Sequence, residues 1–159
     1  MLERRALHRT TRSVADERLY PTRPFLAVSA AILRDGKVLV VRRARKPALG
    51  VYTMPGGVVE AGETLTEAVT REVMEETAMT IAPVALAGHR EAVIRDAEGR
   101  VERHFVILCF ASRWIAGEPV LNEELDDFRW VTLDELKELK TTEGLAEIVA
   151  AAMNRLRGA

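Results

Sequence analysis

Gly57-Val-Val-Glu-Ala-Gly-Glu63-Thr-Leu-Thr-Glu-Ala-Val-Thr-Arg71-Glu72-Val73-Met-Glu75-Glu76-Thr-Ala78-Met79 is the stretch on which the reading of this chain turns. It follows Met54-Pro-Gly-Gly57, where Pro55 and two glycines stop any regular element and let the backbone pass close to other groups. Thr64 then precedes a helical pattern with Glu67 three residues on, a capping box, and Leu65, Ala68, Val69 and Val73 recur at helical spacing. The spacing predicts a helix over 65–77. On such a helix Glu72, Glu75 and Glu76 share one side, while Val69 and Val73 point to the core.

Three like charges so placed repel one another, and burial would worsen the repulsion, so something positive is expected among them. Oxygen-only donors suit a hard cation such as Mg²⁺, with Mn²⁺ as a substitute, and no His or Cys lies near enough in sequence to suggest zinc. Mg²⁺ keeps several waters and binds phosphate oxygens, which makes a metal-bridged phosphate the natural substrate group. Arg71, beside the cluster, is expected to pair with a carboxylate such as Glu63.

Upstream, Phe25 to Leu33 and Val38 to Val41 are apolar runs joined by Asp35-Gly36, a hairpin signature. A basic loop from Arg42 to Gly50 separates them from the glycines. Downstream, strands are expected over 81–86, 91–95, 103–111 and 128–131, with a turn at Ala97-Glu98-Gly99. Helices are expected over 133–138 and 142–155. Antiparallel pairing should dominate this half, and mixed strands flanked by helices imply an α/β layered domain.

Length and composition agree. With 159 residues the chain fits one domain, and 48% apolar with 30% charged residues is ordinary for a globular α/β protein. Formal net charge is −1, from 23 basic and 24 acidic residues, so no global field attracts a nucleic-acid polymer or an anionic membrane. Residues 1–24, with six arginines and three acids, read as an N-terminal arm ahead of a domain over 25–159. That arm lacks the apolar core of a signal peptide, and no apolar run reaches the ~18 residues needed to span a bilayer, so a cytoplasmic location is expected. The single cysteine, Cys109, reads as a buried strand thiol.

The quoted stretch resembles the Nudix box: Gly, five residues, Glu, seven residues, then Arg-Glu-apolar-any-Glu-Glu-any-Gly-apolar. Each specified position matches except Ala78, which stands where the box has glycine. Glycine there would end the helix in a left-handed conformation, so alanine is expected to cost on the order of 1 kcal/mol or to shift the last turn. The resemblance covers about 25–139 and implies the family's α/β/α sandwich, a mixed sheet between helices with the box as a loop-helix-loop.

Carried over position by position, it implies Glu72, Glu75 and Glu76 as metal ligands, with the backbone carbonyl of Gly56 or Gly57 as a further one. Glu63 and Arg71 correspond to a supporting salt bridge, and Glu60 to an auxiliary acid. The implied reaction is attack of water on one phosphorus of a diphosphate, with a general base taking the proton. That base is either a box glutamate or one from Asn122-Glu123-Glu124-Leu-Asp126-Asp127, where Glu124 is preferred to Glu123.

Arg42 and Arg43, with Gly57, are the candidate substrate contacts, since Arg42, Arg43, Arg45 and Lys46 follow the second strand directly. The general run of the sequence is most similar to the ADP-ribose pyrophosphatase-like branch, and ADP-ribose is the first candidate substrate. A proline some fifteen residues past the box, found in many ADP-ribose hydrolases, is missing; the region reads Val93-Ile-Arg-Asp96. A MutT-like nucleoside triphosphate pyrophosphohydrolase is the alternative, and a non-catalytic nucleotide-sensing module a third reading. Many relatives are homodimers, so self-association fits the resemblance.

Overall fold

The computed structural model describes residues 17–159. Most of the arm expected over 1–24 therefore lies outside the described residues. Of its described end, Tyr20 is fastened to a neighbouring hairpin: its N–H donates to the Glu102 carbonyl at 2.9 Å and its hydroxyl to Asp96 Oδ2 at 3.0 Å.

Seven strands make one mixed sheet: β1 (Phe25–Arg34), β2 (Lys37–Arg43), β3 (Tyr52–Thr53), β4 (Gly56–Val58), β5 (Thr80–Arg95), β6 (Val101–Ala116) and β7 (Leu125–Val131). Its main order is β3-β2-β1-β6-β5, with β4 paired to β1 and β7 to β2. The β1–β2 hairpin turns through Asp35 and Gly36 with positive φ at both (51° and 75°), the two-residue geometry that matches strand twist. β1 runs parallel to β6 and antiparallel to its other partners.

Helix α1 (Leu65–Thr77) lies on one face and α2 (Leu133–Lys137) and α3 (Leu145–Arg157) on the other. Alternation along β1 separates two cores: Val28, Ala30 and Ile32 pack under α1 with Ala68, Val69 and Val73, and Ala31 packs under α3 with Val149 and Ala152. Each fully buried Val or Ile contributes about 1.5–3 kcal/mol. The arrangement is the expected α/β/α sandwich.

The two glycines expected to stop any regular element instead form part of β4, because Gly56 and Gly57 pair with Ser29 and Val28 of β1, and four boundaries elsewhere also differ from the sequence expectation. The strands expected over 81–86 and 91–95 are one strand, β5, because β6 supplies an unbroken pairing partner across the polar middle, with register shifts such as the one between Leu86 and Gly88 absorbing the break in alternation. β6 outruns the expected 103–111 at both ends for the same reason. β7 starts at Leu125, three residues early, where the chain already pairs with Arg43. The last helix starts at Leu145 instead of 142, because Gly144 adopts φ 75° and Thr142 gives its N–H to the Tyr52 carbonyl.

Candidate active site

Helix α1 begins where the capping box places it: Thr64 Oγ1 accepts the Glu67 N–H at 3.2 Å and Glu67 Oε2 accepts the Thr64 N–H at 2.7 Å. It ends at Ala78, which takes up the left-handed conformation (φ 57°) that glycine would occupy more cheaply. The helix thus keeps its full length and the alanine carries the strain.

Between these ends the valines fix the rotation of α1, and that rotation presses Glu76 and Glu72 toward the glycine strand β4. Glu76 is 6% exposed, and its Oε2 accepts the Gly56 N–H at 3.1 Å. Burial pushes its carboxyl up to about 8, with the charges of Glu72 and Glu124 acting in the same direction and the Gly56 N–H and Arg43 opposing it. Burial also raises Glu72, against the pull of Arg71. The Glu72 carboxyl fills the space beside Gly57, where an added Cβ would fall 2.3 Å from its Cδ. Gly56 is needed for another reason: a Cβ there would lie 2.0 Å from the Val28 carbonyl oxygen on β1.

Arg71 organises the rim. Its Nε and Nη2 both hold Glu63, the second at 2.9 Å, while Nη1 reaches Glu72 at 2.9 Å and Glu75 at 3.2 Å. Nη2 also donates to the Val58 carbonyl at 3.2 Å, tying helix to strand. Its guanidinium, helped by the Glu60 N–H, holds the Glu63 carboxyl down at about 2.

The family pattern described as NUDIX domain matches residues 23–152. The chain belongs to the NUDIX domain family. Among curated relatives it is 34% identical over 128 residues to the ADP-ribose pyrophosphatase of Methanocaldococcus jannaschii, covering 80% of this chain and 73% of that one. It is 32% identical over 126 residues to the NAD-capped RNA hydrolase NudC of Pseudomonas aeruginosa, covering 77% of this chain but only 42% of NudC. Among solved structures, the MutT NUDIX hydrolase of Burkholderia pseudomallei superposes with a TM-score of 0.68 at 29% identity, covering 81% of this chain and 98% of that one. The chain is a Nudix pyrophosphohydrolase, and Nudix hydrolases in general need divalent metal ions. No described helix is long and apolar enough to cross a membrane.

Within this Nudix chain Glu72 and Glu76 both face the glycine strand, and the charge of the exposed Glu124 reaches the two carboxyls. Glu75 shares the helix side but is half exposed and turned to Arg71, and among the described residues no three carboxylates converge into a cage. Glu60 sits at the rim, where its N–H donates to Glu63 Oε2 at 3.0 Å.

Arg42 and Arg43 separate onto opposite faces of β2. Arg43 lies on the α1 face near Glu76 and gives its Nε–H to the Pro47 carbonyl at 2.6 Å. Arg42 lies on the other face, paired with Asp126 at 2.6 Å and set 5.8 Å from the Tyr52 ring centroid. Alternation along a strand imposes this split on adjacent residues. Sequence reasoning also missed the Gly56 N–H as a partner of Glu76, and Asn122, whose place two residues before Glu124 is a turn signature.

Proposed function

We propose that this chain hydrolyses the diphosphate bond of a nucleoside diphosphate linked to another moiety, with ADP-ribose as first substrate and Mg²⁺ as the working ion. The observation that carries this reading is the buried Glu76 with the partly buried Glu72 beside it, set against the backbone of Gly56 and Gly57. The similarity to an ADP-ribose pyrophosphatase supports the choice of substrate.

The donor set fits a hard divalent cation. Its members are carboxylate oxygens and backbone carbonyls, no cationic side chain among the described residues is bonded to the buried Glu76, and Mg²⁺ that keeps its waters needs no closed cage. Glu72, Glu75 and Glu76, with the Gly56 carbonyl, would hold it. Bound there, the ion would neutralise charge on the diphosphate oxygens.

The chain's own groups do the rest. Glu124 takes the proton of the attacking water as its oxygen bonds to phosphorus and the bond from that phosphorus to the bridging oxygen breaks. Arg71 and Glu63 keep α1 and β4 in register, so that the carboxylates face the glycine strand. Arg43, on the same face, offers positive charge to the phosphates, and Gly57 leaves room for them.

A second reading, a triphosphate pyrophosphohydrolase, draws on the superposition with a MutT protein that this chain covers almost completely. One assay separates the two. Purified protein with Mg²⁺ is given ADP-ribose, NADH, sugar nucleotides and nucleoside triphosphates, and the products are resolved chromatographically beside Glu76→Gln. AMP with ribose 5-phosphate, lost in the variant, is the expected result; pyrophosphate release from triphosphates alone would sink the diphosphate-linked reading. Nucleotide binding without turnover would point to the sensing module.

A further inference from the structure

The segment joining β6 to β7 is sewn to the end of α1. The last carbonyls of a helix lack partners within it. Here the Thr77 carbonyl accepts the Val120 N–H at 2.9 Å, and the Glu76 carbonyl accepts the Asn122 N–H at 3.2 Å. The residue that places the buried carboxylate therefore also anchors the neighbouring loop through its backbone.

Asn122 then turns the chain back. Its Oδ1 accepts the Glu124 N–H at 3.1 Å, and its carbonyl accepts the Leu125 N–H at 3.3 Å. This is an Asn side chain imitating a backbone turn. On the far side of Glu124 the Ala44 N–H donates to its carbonyl at 2.9 Å. The Glu124 backbone is thus held from both directions, by the α1 end through Asn122 and by the loop after β2.

The two adjacent acids are sorted by this turn. Glu123 faces outward, 81% exposed and 3.4 Å from the Arg45 guanidinium. Glu124, exposed as well, has no such cationic partner among the described residues, and its charge reaches Glu72 and Glu76.

We propose that Asn122 is a positioning residue for the Glu124 carboxylate: its side-chain oxygen sets the turn that holds this acid over the Glu72–Glu76 pair before substrate arrives. The proposal rests on the reading of Glu124 as the group that takes the water's proton. Replacing Asn122 by alanine removes one acceptor and leaves the backbone bond to Glu76 in place. The fold is kept while Glu124 loses its aim, and misplacing a reacting group by about 1 Å costs on the order of 10²-fold in rate.

The test compares kcat and KM of Asn122→Ala, Asn122→Asp, Glu124→Gln and the double variant Asn122→Ala/Glu124→Gln, on whichever substrate the full chain cleaves with saturating Mg²⁺. Melting temperatures are recorded for each. The expected result is a fall of about 10–100-fold in kcat for Asn122→Ala with KM within about twofold. Asn122→Asp, which keeps the acceptor oxygen, recovers most of the rate, and the double variant is no slower than Glu124→Gln alone. If Asn122→Ala fails to fold, Asn122→Ser, with a shorter acceptor, takes its place and gives an intermediate kcat.

Equal losses in the alanine and aspartate variants, or losses that multiply in the double variant, would overturn the proposal. Wild-type kcat in Glu124→Gln would instead show that Glu124 is not the base, and the proposal would fall with the reading beneath it.

Discussion

Glu76 Oε2 and the Gly56 N–H lie 3.1 Å apart, so the most buried carboxylate of the site is attached to the strand that begins the Nudix loop. One hydrogen bond does not repay the dehydration of a charge, and Glu76 stays protonated up to about 8 while no cation is present.

This sets a pH dependence of the metal-free protein. Glu76 has a folded pKa raised from 4.5 to about 8, so its contribution to stability is fully present below the unfolded value and is lost as pH rises through about 8. In EDTA the melting temperature should fall by a few degrees between pH 6 and pH 9 relative to Glu76→Gln, whose neutral amide does not titrate. Added Mg²⁺ should restore it, more strongly at pH 9, since metal and proton compete for one carboxylate. Scanning calorimetry of the two proteins checks this; identical pH profiles would refute it.

Arg71 serves Glu63, Glu72, Glu75 and the Val58 carbonyl at once, which needs the planar fork of a guanidinium. Arg71→Lys should keep the charge yet lower kcat by about tenfold or more, because an ammonium cannot hold both sides. Wild-type kcat in that variant would show that charge alone suffices. Glu63, held down at about 2 by the arginine, should keep the pair intact in mild acid: its contribution is present above the ordinary carboxylate range and is lost as pH falls through about 2.

The adjacent glycines should fail in different ways. Gly56→Ala puts a methyl 2.0 Å from the Val28 carbonyl oxygen, a backbone atom in a paired strand, so the β1–β4 pairing must break and the melting temperature should drop sharply. Gly57→Ala meets the Glu72 carboxyl, the end of a side chain that can swing aside. Its main expected effect is therefore weaker Mg²⁺ activation, seen as a higher metal concentration at half-maximal rate, with a smaller loss of stability. Equal melting temperatures for the two variants would contradict this.

Ala78→Gly should stabilise the chain by about 1 kcal/mol, since φ 57° is strained for alanine and free for glycine. That amounts to about 2–4 °C in melting temperature for a domain of this size. No side chain of the site changes, so kcat should stay at the wild-type value. A fall in melting temperature would show that the helix end depends on the alanine methyl.

Much of this was legible in the residues before any coordinates. The capping box at Thr64 and Glu67, the apolar stripe of Ala68, Val69 and Val73, the Asp35-Gly36 turn and the Glu63–Arg71 pair are local patterns, set by neighbours within a few positions, and each takes the expected form. The long β5 was not legible. Gly88, His89 and Arg90 carry no strand pattern of their own, and the pairing partner that extends them is distant in sequence.

The sequence by itself determined the family, the layered α/β class, and the helix that lines Glu72, Glu75 and Glu76 along one side, because spacing along a helix decides which residues share a face. Only the tertiary structure decided how these acids differ. Glu76 is buried against Gly56, Glu72 is packed beside Gly57, Glu75 is turned out to Arg71, and the segment that carries Glu124, 48 residues past Glu76, is tied to the helix end through Val120 and Asn122. Burial and approach across the sheet depend on contacts between elements far apart in the chain, and those contacts, more than the residue types, set how far each carboxyl is removed from water.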